Sequence, residues 1–359
     1  MSVKSLVGVV GAIGVFAAAS ASADPRTSPE PSADALRPGA GGSAPSEGAA
    51  ALPFRTSFEA SQGFTPGSLN GQNGWTTFNA TPAQPTVSAA HPQAGAQHLR
   101  LVDTPAVPDL TPSGGFSPPI GVANGQRSAT SVWLSINNVT PGPSGGADYD
   151  VVGQEVGGTE ARLSFRVKFQ FTGDVVVADD VNGDGDLEFA DTGANWTPNT
   201  YLNLRVFHNP ASDQIAYFLG NNLIYQSVDG IFGGDDVSQV VLLSDNFHQP
   251  GESGDYDNLA VFNPIAGDAN VDGLVNLSDF NTLAENFGQG SGATWIDADF
   301  NGDGNVNLED FNLLAANFGQ SAAGPTVTPG DWAALGAAVP EPATLGLLLT
   351  ALPLIRRRR

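Results

Sequence analysis

One pattern of oxygen-bearing side chains occurs twice near the end of the chain, first at Asp268 and again 31 residues later at Asp299. Both copies begin D-x-N-x-D-G, with oxygen donors at positions 1, 3, 5, 9 and 12 and a glycine for the sharp turn at position 6. Position 7 is expected to contribute its main-chain carbonyl. The predicted ligands are Asp268, Asn270, Asp272, Leu274, Asn276 and Asp279, then Asp299, Asn301, Asp303, Asn305, Asn307 and Asp310. A hard cation prefers oxygen ligands, so the pattern predicts two calcium ions.

Each loop leads into a short segment with the apolar spacing of an amphipathic helix, which ends at Gly288 in the first copy and at Gly319 in the second. The two half-sites are therefore expected to share one small core. Its expected members are Phe280, Leu283, Ala284 and Phe287, repeated as Phe311, Leu314, Ala315 and Phe318. A pair of solvated turns is the alternative, but it does not explain two copies in register with matching helices.

The paired loops and helices, closing in ENFGQ and ANFGQ, resemble a type I dockerin module over residues 266–320. The resemblance implies calcium binding and a cohesin-like protein partner. It also places partner-binding residues at positions 10 and 11 of each loop. These are Leu277, Ser278, Leu308 and Glu309, where the family typically has a Ser-Thr pair. A calcium-dependent stabiliser without any partner is the alternative function for the same residues.

The chain is strongly acidic and contains no cysteine, with a formal net charge of -23 over 359 residues. Such a charge repels nucleic acid and anionic lipid, so both are excluded as partners of the soluble part. Without cysteine there are no disulfides, thiol nucleophiles or zinc-thiolate sites, and calcium is the ion suited to stabilising a secreted protein.

Both ends of the chain carry segments typical of export and sorting. Residues 1–23 predict a secretory signal peptide, followed by a disordered linker at 24–52. After a second linker at 321–338, residues 339–359 resemble a PEP-CTERM sorting signal, with Pro340, Glu341 and Pro342 before an apolar segment and terminal arginines. The resemblance is to bacterial surface proteins of the planctomycete type. It implies an exosortase-type sorting enzyme, membrane contact through the tag, and a place in the cell envelope or on the extracellular surface.

Residues 53–265 have the texture of β structure, with short alternating segments between turn-forming residues. The clearest is 161–171, where Phe165, Val167 and Phe169 alternate with polar residues, which predicts one core face and one solvent face. Further strands are expected at 97–102, 131–136, 175–177, 202–208, 214–219, 223–227, 239–244 and 256–262.

The segments at 57–75 and 255–263 resemble the first and last strands of concanavalin A-like or laminin G-like jelly rolls. The expected fold class is therefore mainly β, an antiparallel jelly-roll sandwich followed by a small α-helical module with paired EF-hand-like loops.

A third match to the calcium-loop spacing lies inside the β region at residues 180–191. It follows a strand signal, so it is expected to be an isolated loop. Its five carboxylates would repel one another without a cation, which predicts a third calcium ion, with a solvated acidic hairpin as the alternative. The predicted ligands are Asp180, Asn182, Asp184, Asp186, Glu188 and Asp191.

No catalytic residue is predicted in the β region. Glycosidases need two suitably spaced carboxylates, and Glu155 and Glu160 are weak candidates for such a pair. The histidines show no metal-ligand spacing and are interpreted as surface or edge residues: His91, His98, His208 and His248.

Aromatic side chains that reach the surface can stack on sugar rings, and the candidates are Trp75, Trp196 and Tyr201, although core packing is the favoured role for any single one of them. The favoured interpretation is an exported, envelope-anchored, calcium-binding protein without enzymatic activity. Its jelly roll is expected to bind glycan or matrix, and its module to dock a cohesin-like protein. The rival is a polysaccharide-degrading glycoside hydrolase that carries a dockerin.

Overall fold

A computed structural model describes residues 52–78, 85–102, 112–139, 146–157, 160–184, 186–228, 230, 233–247 and 251–322. The chain divides into two compact units, Met1–Pro264 and Ile265–Arg359. The predicted signal peptide, nearly all of both linkers and the sorting motif at residues 340–342 lie outside the described residues. Within the described part, no helix has the length and apolar character needed to cross a membrane.

The first unit is built from short and medium-length strands. In chain order they are β1 (Phe54–Thr56), β2 (Gly67–Ser68), β3 (Thr76–Phe78), β4 (Thr86–Ser88), β5 (His98–Val102), β6 (Ser113–Phe116), β7 (Ser128–Asn137), β8 (Tyr149–Gly157), β9 (Glu160–Phe169), β10 (Asp174–Asp179), β11 (Glu188–Asn195), β12 (Leu202–Asn209), β13 (Gln214–Leu219), β14 (Asn222–Gln226), β15 (Gln239–Ser244) and β16 (Ser253–Phe262). A single 3-10 turn, Ala60–Gln62, follows β1.

These strands form one sheet of nine strands and one of seven. The larger sheet has the order β14-β13-β12-β7-β16-β5-β4-β2, with β1 also paired to β16. The smaller sheet has the order β11-β10-β9-β8-β15-β6-β3. Every pairing between the described strands is antiparallel. The predicted mainly β, antiparallel class is therefore confirmed.

The two sheets enclose a large apolar core. Successive side chains along a strand point to opposite faces, so β9 directs Phe165, Val167 and Phe169 inward, where all three are buried. Burying a side chain of this size contributes roughly 2 kcal/mol. The alternation that identified this strand in the sequence is thus the pattern that holds the sheets together.

The other face of β9 is not the solvent face that the sequence predicts. Arg166 and Lys168 are buried there, with the Arg166 guanidinium bonded to Asp150 and the Lys168 ammonium 3.6 Å from an Asp148 oxygen. Both cations also lie over the ring of Phe189. Alternation shows only that these side chains are polar, and polar groups can be buried when they are paired.

The second unit contains two helices and a 3-10 turn: α1 (Leu277–Asn286), the turn Trp295–Asp297, and α2 (Leu308–Asn317). The asparagine at loop position 9 caps each helix. Asn276 accepts a hydrogen bond from the Ser278 N–H at 2.7 Å, and its own N–H donates to Asp279 at 2.8 Å. The cap is thus formed by residues that also belong to the loop.

The helices share a small core, in which the rings of Phe280 and Phe311 are 6.4 Å apart and Leu314 is fully buried. The expectation that the last aromatic of each repeat joins this core holds for Phe318, which is 3% exposed. It is wrong for Phe287, which is 55% exposed. Both residues end their helices with nearly the same backbone angles, so packing and not local conformation makes the difference.

Main-chain hydrogen bonds interlock the two repeats. The residue at position 8 of each loop exchanges two bonds with the chain just after the helix of the other repeat. Val275 pairs in this way with Gly319 and Gln320, and Val306 with Gly288 and Gln289. Neither repeat therefore completes its hydrogen bonds alone.

Candidate metal centre

The first loop folds its carboxylates back onto its own main chain. Asp268 accepts from the Gly273 N–H at 2.9 Å, and Gly273 has a φ of 84°, which explains why position 6 is glycine. Asp279 lies in the first turn of α1 and accepts from the N–H groups of Ala269 at 2.9 Å and Asn276 at 2.8 Å. The helix therefore returns the position-12 carboxylate to the start of the loop.

The second loop repeats this arrangement. Asp299 accepts from the Gly304 N–H at 2.8 Å, and Asp310 accepts from Phe300 at 2.9 Å and from Asn307 at 3.0 Å. These distances agree with their counterparts in the first loop within 0.2 Å. The duplication seen in the sequence is therefore a duplication of geometry.

Charge is costly to maintain in these loops without a cation. Burial, reinforced by the nearby Asp279 and Asp272 carboxylates, raises the pKa of Asp268 well above its usual range. Burial also raises the pKa of Asp279 to about 7, and burial raises the pKa of Asp299. A divalent cation would offset this repulsion and desolvation, so the charge of the loops fits Ca²⁺.

Carboxylates by themselves do not complete either site. In the described part of the chain, no three Asp, Glu, His or Cys side chains are grouped closely enough to hold a metal ion on their own. Each loop also carries amide oxygens at positions 3 and 9 and a carbonyl at position 7, and this mixture of oxygens is the set that calcium takes. The predicted ligands thus include all the oxygen types of this set, and their role in holding calcium stays a prediction.

The acidic loop after β10 starts in the same way. Asp180 accepts from the N–H groups of Gly183 at 2.8 Å and Asp184 at 3.1 Å, and Asn182 accepts from Asp184 at 2.9 Å. Asp184 in turn accepts from the Asp186 N–H at 2.9 Å. The first five positions therefore adopt a calcium-loop turn without any helix behind it.

This loop closes through position 9 and not through position 12. Glu188 is the first residue of β11, and its carboxylate accepts from the Val181 N–H at 3.2 Å and from the Asn182 side-chain amide at 2.6 Å. In the paired loops, the residue after the first aspartate donates to Asp279 or Asp310 instead. Glu188 thus occupies the place that those aspartates occupy in the module.

Asp191 is not brought to this group of donors. It lies three residues beyond Glu188 on β11, opposite Val176, so the two side chains point to opposite faces of the sheet. Asp191 is exposed and accepts from the Gly193 N–H at 2.8 Å. The structure therefore contradicts its predicted role as the closing ligand.

The predicted partner-binding residues lie at the first and second positions of the two helices, and all four are exposed. Leu308 has 61% of its surface exposed, which is high for a large apolar side chain. Its counterpart Leu277 is also exposed. The module therefore presents two equivalent apolar positions, one per repeat.

Two of the three aromatic residues predicted to bind glycan are core residues. Trp75 is buried with its ring centre 5.4 Å from that of Phe58. Trp196 is buried, and its indole N–H donates to the Gln170 carbonyl at 2.7 Å. Enclosed rings have no free face for a sugar, so the favoured role of core packing is confirmed for both, and the structure contradicts their candidacy as glycan-binding residues. Tyr201 is partly exposed and remains a candidate.

The interpretation of the histidines as surface or edge residues is wrong for His98 and His208, which are fully buried. Burial lowers the pKa of His208 to about 4, so this imidazole is neutral at neutral pH. The side chain of His91 is half exposed, and His248 lies outside the described residues. The sequence carried no signal for the buried pair, because the burial of a polar strand residue depends on what the rest of the fold packs over it.

The geometry defines the second unit as a calcium-loop module of two interlocked loop-helix repeats. Residues 266–318 match the family model described as Dockerin type I domain. Type I dockerin domains bind calcium and dock cohesins, so this match supports calcium and a cohesin partner for the module. No curated protein sequence matches the chain.

Solved structures similar to the chain include proteins whose names refer to carbohydrates. An endo-β-1,4-glucuronan lyase from the fungus Trichoderma reesei has 12% identity and a TM-score of 0.39, covering 56% of this chain and 94% of that chain. A sialidase has 12% identity and a TM-score of 0.37, covering 59% of this chain but only 19% of its own. The cellulose induced protein Cip1 has 11% identity and a TM-score of 0.35, with 53% and 91% covered. Such likeness concerns the fold alone.

Proposed function

We propose that this chain is an exported calcium-binding protein that attaches a glycan-binding β-sandwich to a cohesin-type partner. The observation that carries the proposal is the doubled loop, with matching hydrogen bonds in both copies and an exposed leucine at the start of each helix. Calcium would supply rigidity and neutralise the loop carboxylates. In the proposed function, calcium has a structural role and takes part in no reaction.

The cohesin partner is proposed to bind across Leu277 and Ser278 on one repeat, or Leu308 and Glu309 on the other. Because the two repeats present equivalent surfaces, the partner can bind one repeat when the other is changed. Only a variant that is changed in both repeats is therefore informative. Leu277→Ala combined with Leu308→Ala should weaken binding to immobilised cohesin domains by roughly tenfold or more in calcium. Leu223→Ala, an exposed leucine on β14, is the matched control.

Chelation should abolish the same binding, because the exposed leucines are held by helices that begin in the calcium loops. A panel of cohesin domains that all fail to bind the calcium-loaded chain would contradict the docking proposal. The module would then be a calcium-dependent stabiliser of the chain.

The location of the protein is proposed to be the cell envelope or the extracellular surface, which is typical of proteins that carry dockerins. The sequence at residues 339–359 is proposed to be a sorting tag that an exosortase-type enzyme handles at the membrane. Fractionation of cells that express the chain with and without this tag tests the point. The tagged chain is expected in the envelope fraction and the untagged chain in the medium.

A polysaccharide-degrading enzyme is the second candidate, and one observation favours it. His91 is half exposed and its Nδ1 lies 3.3 Å from the buried Asp255 carboxylate, which is how an oriented general base is commonly held. Release of reducing sugar from a panel of polysaccharides, lost in His91→Ala, would establish this candidate. No release from any polymer leaves the binding function as the proposal.

A further inference from the structure

The outer face of the nine-stranded sheet carries a polar cluster that the sequence did not reveal. On β5, Leu99 and Leu101 enter the core, so His98 and Arg100 point to the other face. On β16, Tyr256 enters the core, and the aspartates on either side of it point outward in the same way.

The strand register brings these outward side chains together. Asp255 lies opposite Arg100 on β5 and opposite Ser135 on β7. Asp257, two residues along the same face, lies opposite Trp133. Directly paired residues of neighbouring strands have Cβ atoms about 5 Å apart, so the cluster forms one continuous patch across three strands.

Asp255 is the centre of the patch. Its carboxylate lies 3.3 Å from His91 Nδ1, 3.3 Å from His98 Nε2 and 3.5 Å from Arg100 Nε, and it accepts from the Asn137 amide at 2.8 Å. The carboxylate is fully buried. Asn137 is the hydrogen-bond donor to one carboxylate oxygen, whereas the other oxygen, Oδ1, has no hydrogen-bond partner among the described residues. The neighbouring Arg100 cation therefore offsets part of the cost of burying this group.

The loop before β5 brings His91 over this patch. Asp257 accepts from the N–H groups of Gln93 at 2.9 Å and Ala94 at 3.2 Å, and the Tyr201 hydroxyl donates to the His91 carbonyl. Burial and the charges of the two aspartates raise the pKa of Tyr201, so its hydroxyl stays protonated. His91 from the loop, Arg100 from β5, Asp255 and Asp257 from β16, and Tyr201 just before β12 therefore lie together on this face of the sheet.

The cluster has a buried layer and a partly exposed layer, and only the exposed layer is accessible to a ligand. Both aspartates are fully buried, whereas the side chain of His91 is 52% exposed and that of Arg100 is 16% exposed. Trp133 and Tyr201 are also partly exposed. Within the described part of the chain, Arg100 contacts Asp255 and the Ser253 hydroxyl, which involves two of its five N–H donors.

We infer that this patch, defined by His91, Arg100, Trp133 and Tyr201, binds a sugar that carries a carboxylate, as in the uronic acid units of an acidic polysaccharide. The inference rests on the proposed glycan-binding function and names its site and ligand class. The Arg100 guanidinium would bind the sugar carboxylate, and the aromatic rings would pack on the apolar face of the sugar. Neutral sugars are less well suited, because the carboxylates that would accept from their hydroxyls are buried.

The net charge of the chain opposes a polyanion only at long range. Surface charges are largely screened beyond about 8 Å at physiological ionic strength, whereas the guanidinium meets its ligand at contact distance. The local pairing therefore decides whether an acidic sugar binds, and the overall charge mainly slows its approach.

The test compares one polymer in two forms. The calcium-loaded full chain is titrated calorimetrically with oligosaccharides of a polyuronate, and with the same oligosaccharides after reduction of their carboxyl groups. The acidic form is expected to bind at least about tenfold more tightly, because a charge-assisted pair with arginine is lost on reduction. Equal affinity for the two forms would overturn the inference.

Substitutions locate the site. Arg100→Lys keeps the charge but loses the planar fork, and His91→Gln changes an exposed side chain, so both should fold and both should weaken uronate binding several-fold. Arg162→Lys is the matched control, since this half-exposed arginine pairs with Glu155 in the other sheet. Wild-type affinity in both patch variants would overturn the inference.

The failure of the inference differs from the failure of the proposed function. Binding to neutral polysaccharides that persists while polyuronates do not bind would overturn the inference alone. Binding to no member of a mixed panel, neutral or acidic, would overturn both.

Discussion

The loops at 268 and 299 begin in the same way as the loop at 180, but they are closed by carboxylates at different positions. In all three, the first aspartate accepts from main-chain N–H groups of its own turn. In the module, the carboxylate at position 12 returns to the start of the loop. In the β-sandwich, the carboxylate at position 9 does so.

The element that follows each loop explains this difference. In a helix, position 9 caps the first turn, and position 12 lies one turn later on the side of the loop. In a strand, side chains alternate, so position 9 faces the loop and position 12 faces away from it. A linear motif therefore specifies the turn, and the following secondary structure selects which carboxylate closes the loop.

The largest expected effect is a difference between the module and the β-sandwich in how far their folding depends on calcium. Chelation with EDTA should unfold α1 and α2, because buried carboxylates are left without a cation in a very small core. If calcium stands at about 100 times its dissociation constant, binding stabilises the module by ~2.7 kcal/mol. Far-UV circular dichroism should show loss of the helical signal and retention of the β signal, with recovery on adding calcium. A helical signal unchanged by EDTA would contradict this.

The next prediction concerns the closing ligand of the third loop. Glu188→Gln should remove one calcium ion per chain, whereas Asp191→Asn should keep the wild-type number, because only Glu188 faces the loop. Calorimetric stoichiometry on the full chain is the measurement, and each variant is the control for the other. The reverse result would mean that position 12 is the ligand here as well, as it is proposed to be in the module.

The pH dependence of calcium binding sharpens the comparison within the module. The pKa of Asp279 is raised to about 7, so below that pH the metal-free carboxyl holds a proton that calcium must displace. Where protonation of Asp279 keeps the metal-free module folded, the calcium affinity of that module should fall roughly tenfold per pH unit below 7. The stability of the metal-free fold should show the opposite dependence on pH. This fold loses stability as pH rises from about 4 to 7, because only the unfolded carboxyl is then ionised.

Calorimetric calcium titrations at several pH values below 7 measure this effect. Asp279→Asn is the control, since it keeps the shape of the side chain but cannot titrate, and its weaker binding should depend less on pH. An affinity that is constant over this range would contradict the prediction.

The smallest expected effect concerns a link between the two repeats. The Trp295 indole N–H donates to the Asp268 main-chain carbonyl at 2.8 Å, and its ring packs edge-on against Phe300, 5.4 Å away. Trp295→Phe keeps a ring but loses the hydrogen bond, which costs about 1 kcal/mol, or roughly fivefold in calcium affinity at the first loop. Trp196→Phe loses a similar bond in the sandwich and should leave module binding unchanged.

Much of the module follows from local sequence. The loop turn, the glycine at position 6, the capping asparagine and the first turn of each helix involve residues within about twelve positions of one another, so spacing alone predicts them. The exposure of Phe287 does not follow, because its counterpart Phe318 has nearly the same backbone and is buried. Packing between repeats decided which of the two aromatic rings joined the core.

Strands of the sandwich were predicted where apolar and polar residues alternate, and they were missed where this alternation is absent. The expected strands at 214–219 and 239–244 coincide with β13 and β15. β6 was missed, since it contains two adjacent glycines and presents little pattern. The third loop was predicted as a twelve-residue unit, yet its last four residues belong to β11.

The sequence by itself determined the calcium-loop turns, the duplication, the acidic charge and the antiparallel β class, because each depends on neighbouring residues or on simple alternation. Tertiary structure alone decided which carboxylate closes the third loop, why Trp75 and Trp196 are core residues, and how Asp255 comes to lie between His91, His98 and Arg100. Those outcomes depend on strand register and on loops that cover a sheet face, which bring together residues up to 164 positions apart. No spacing rule along the chain extends that far.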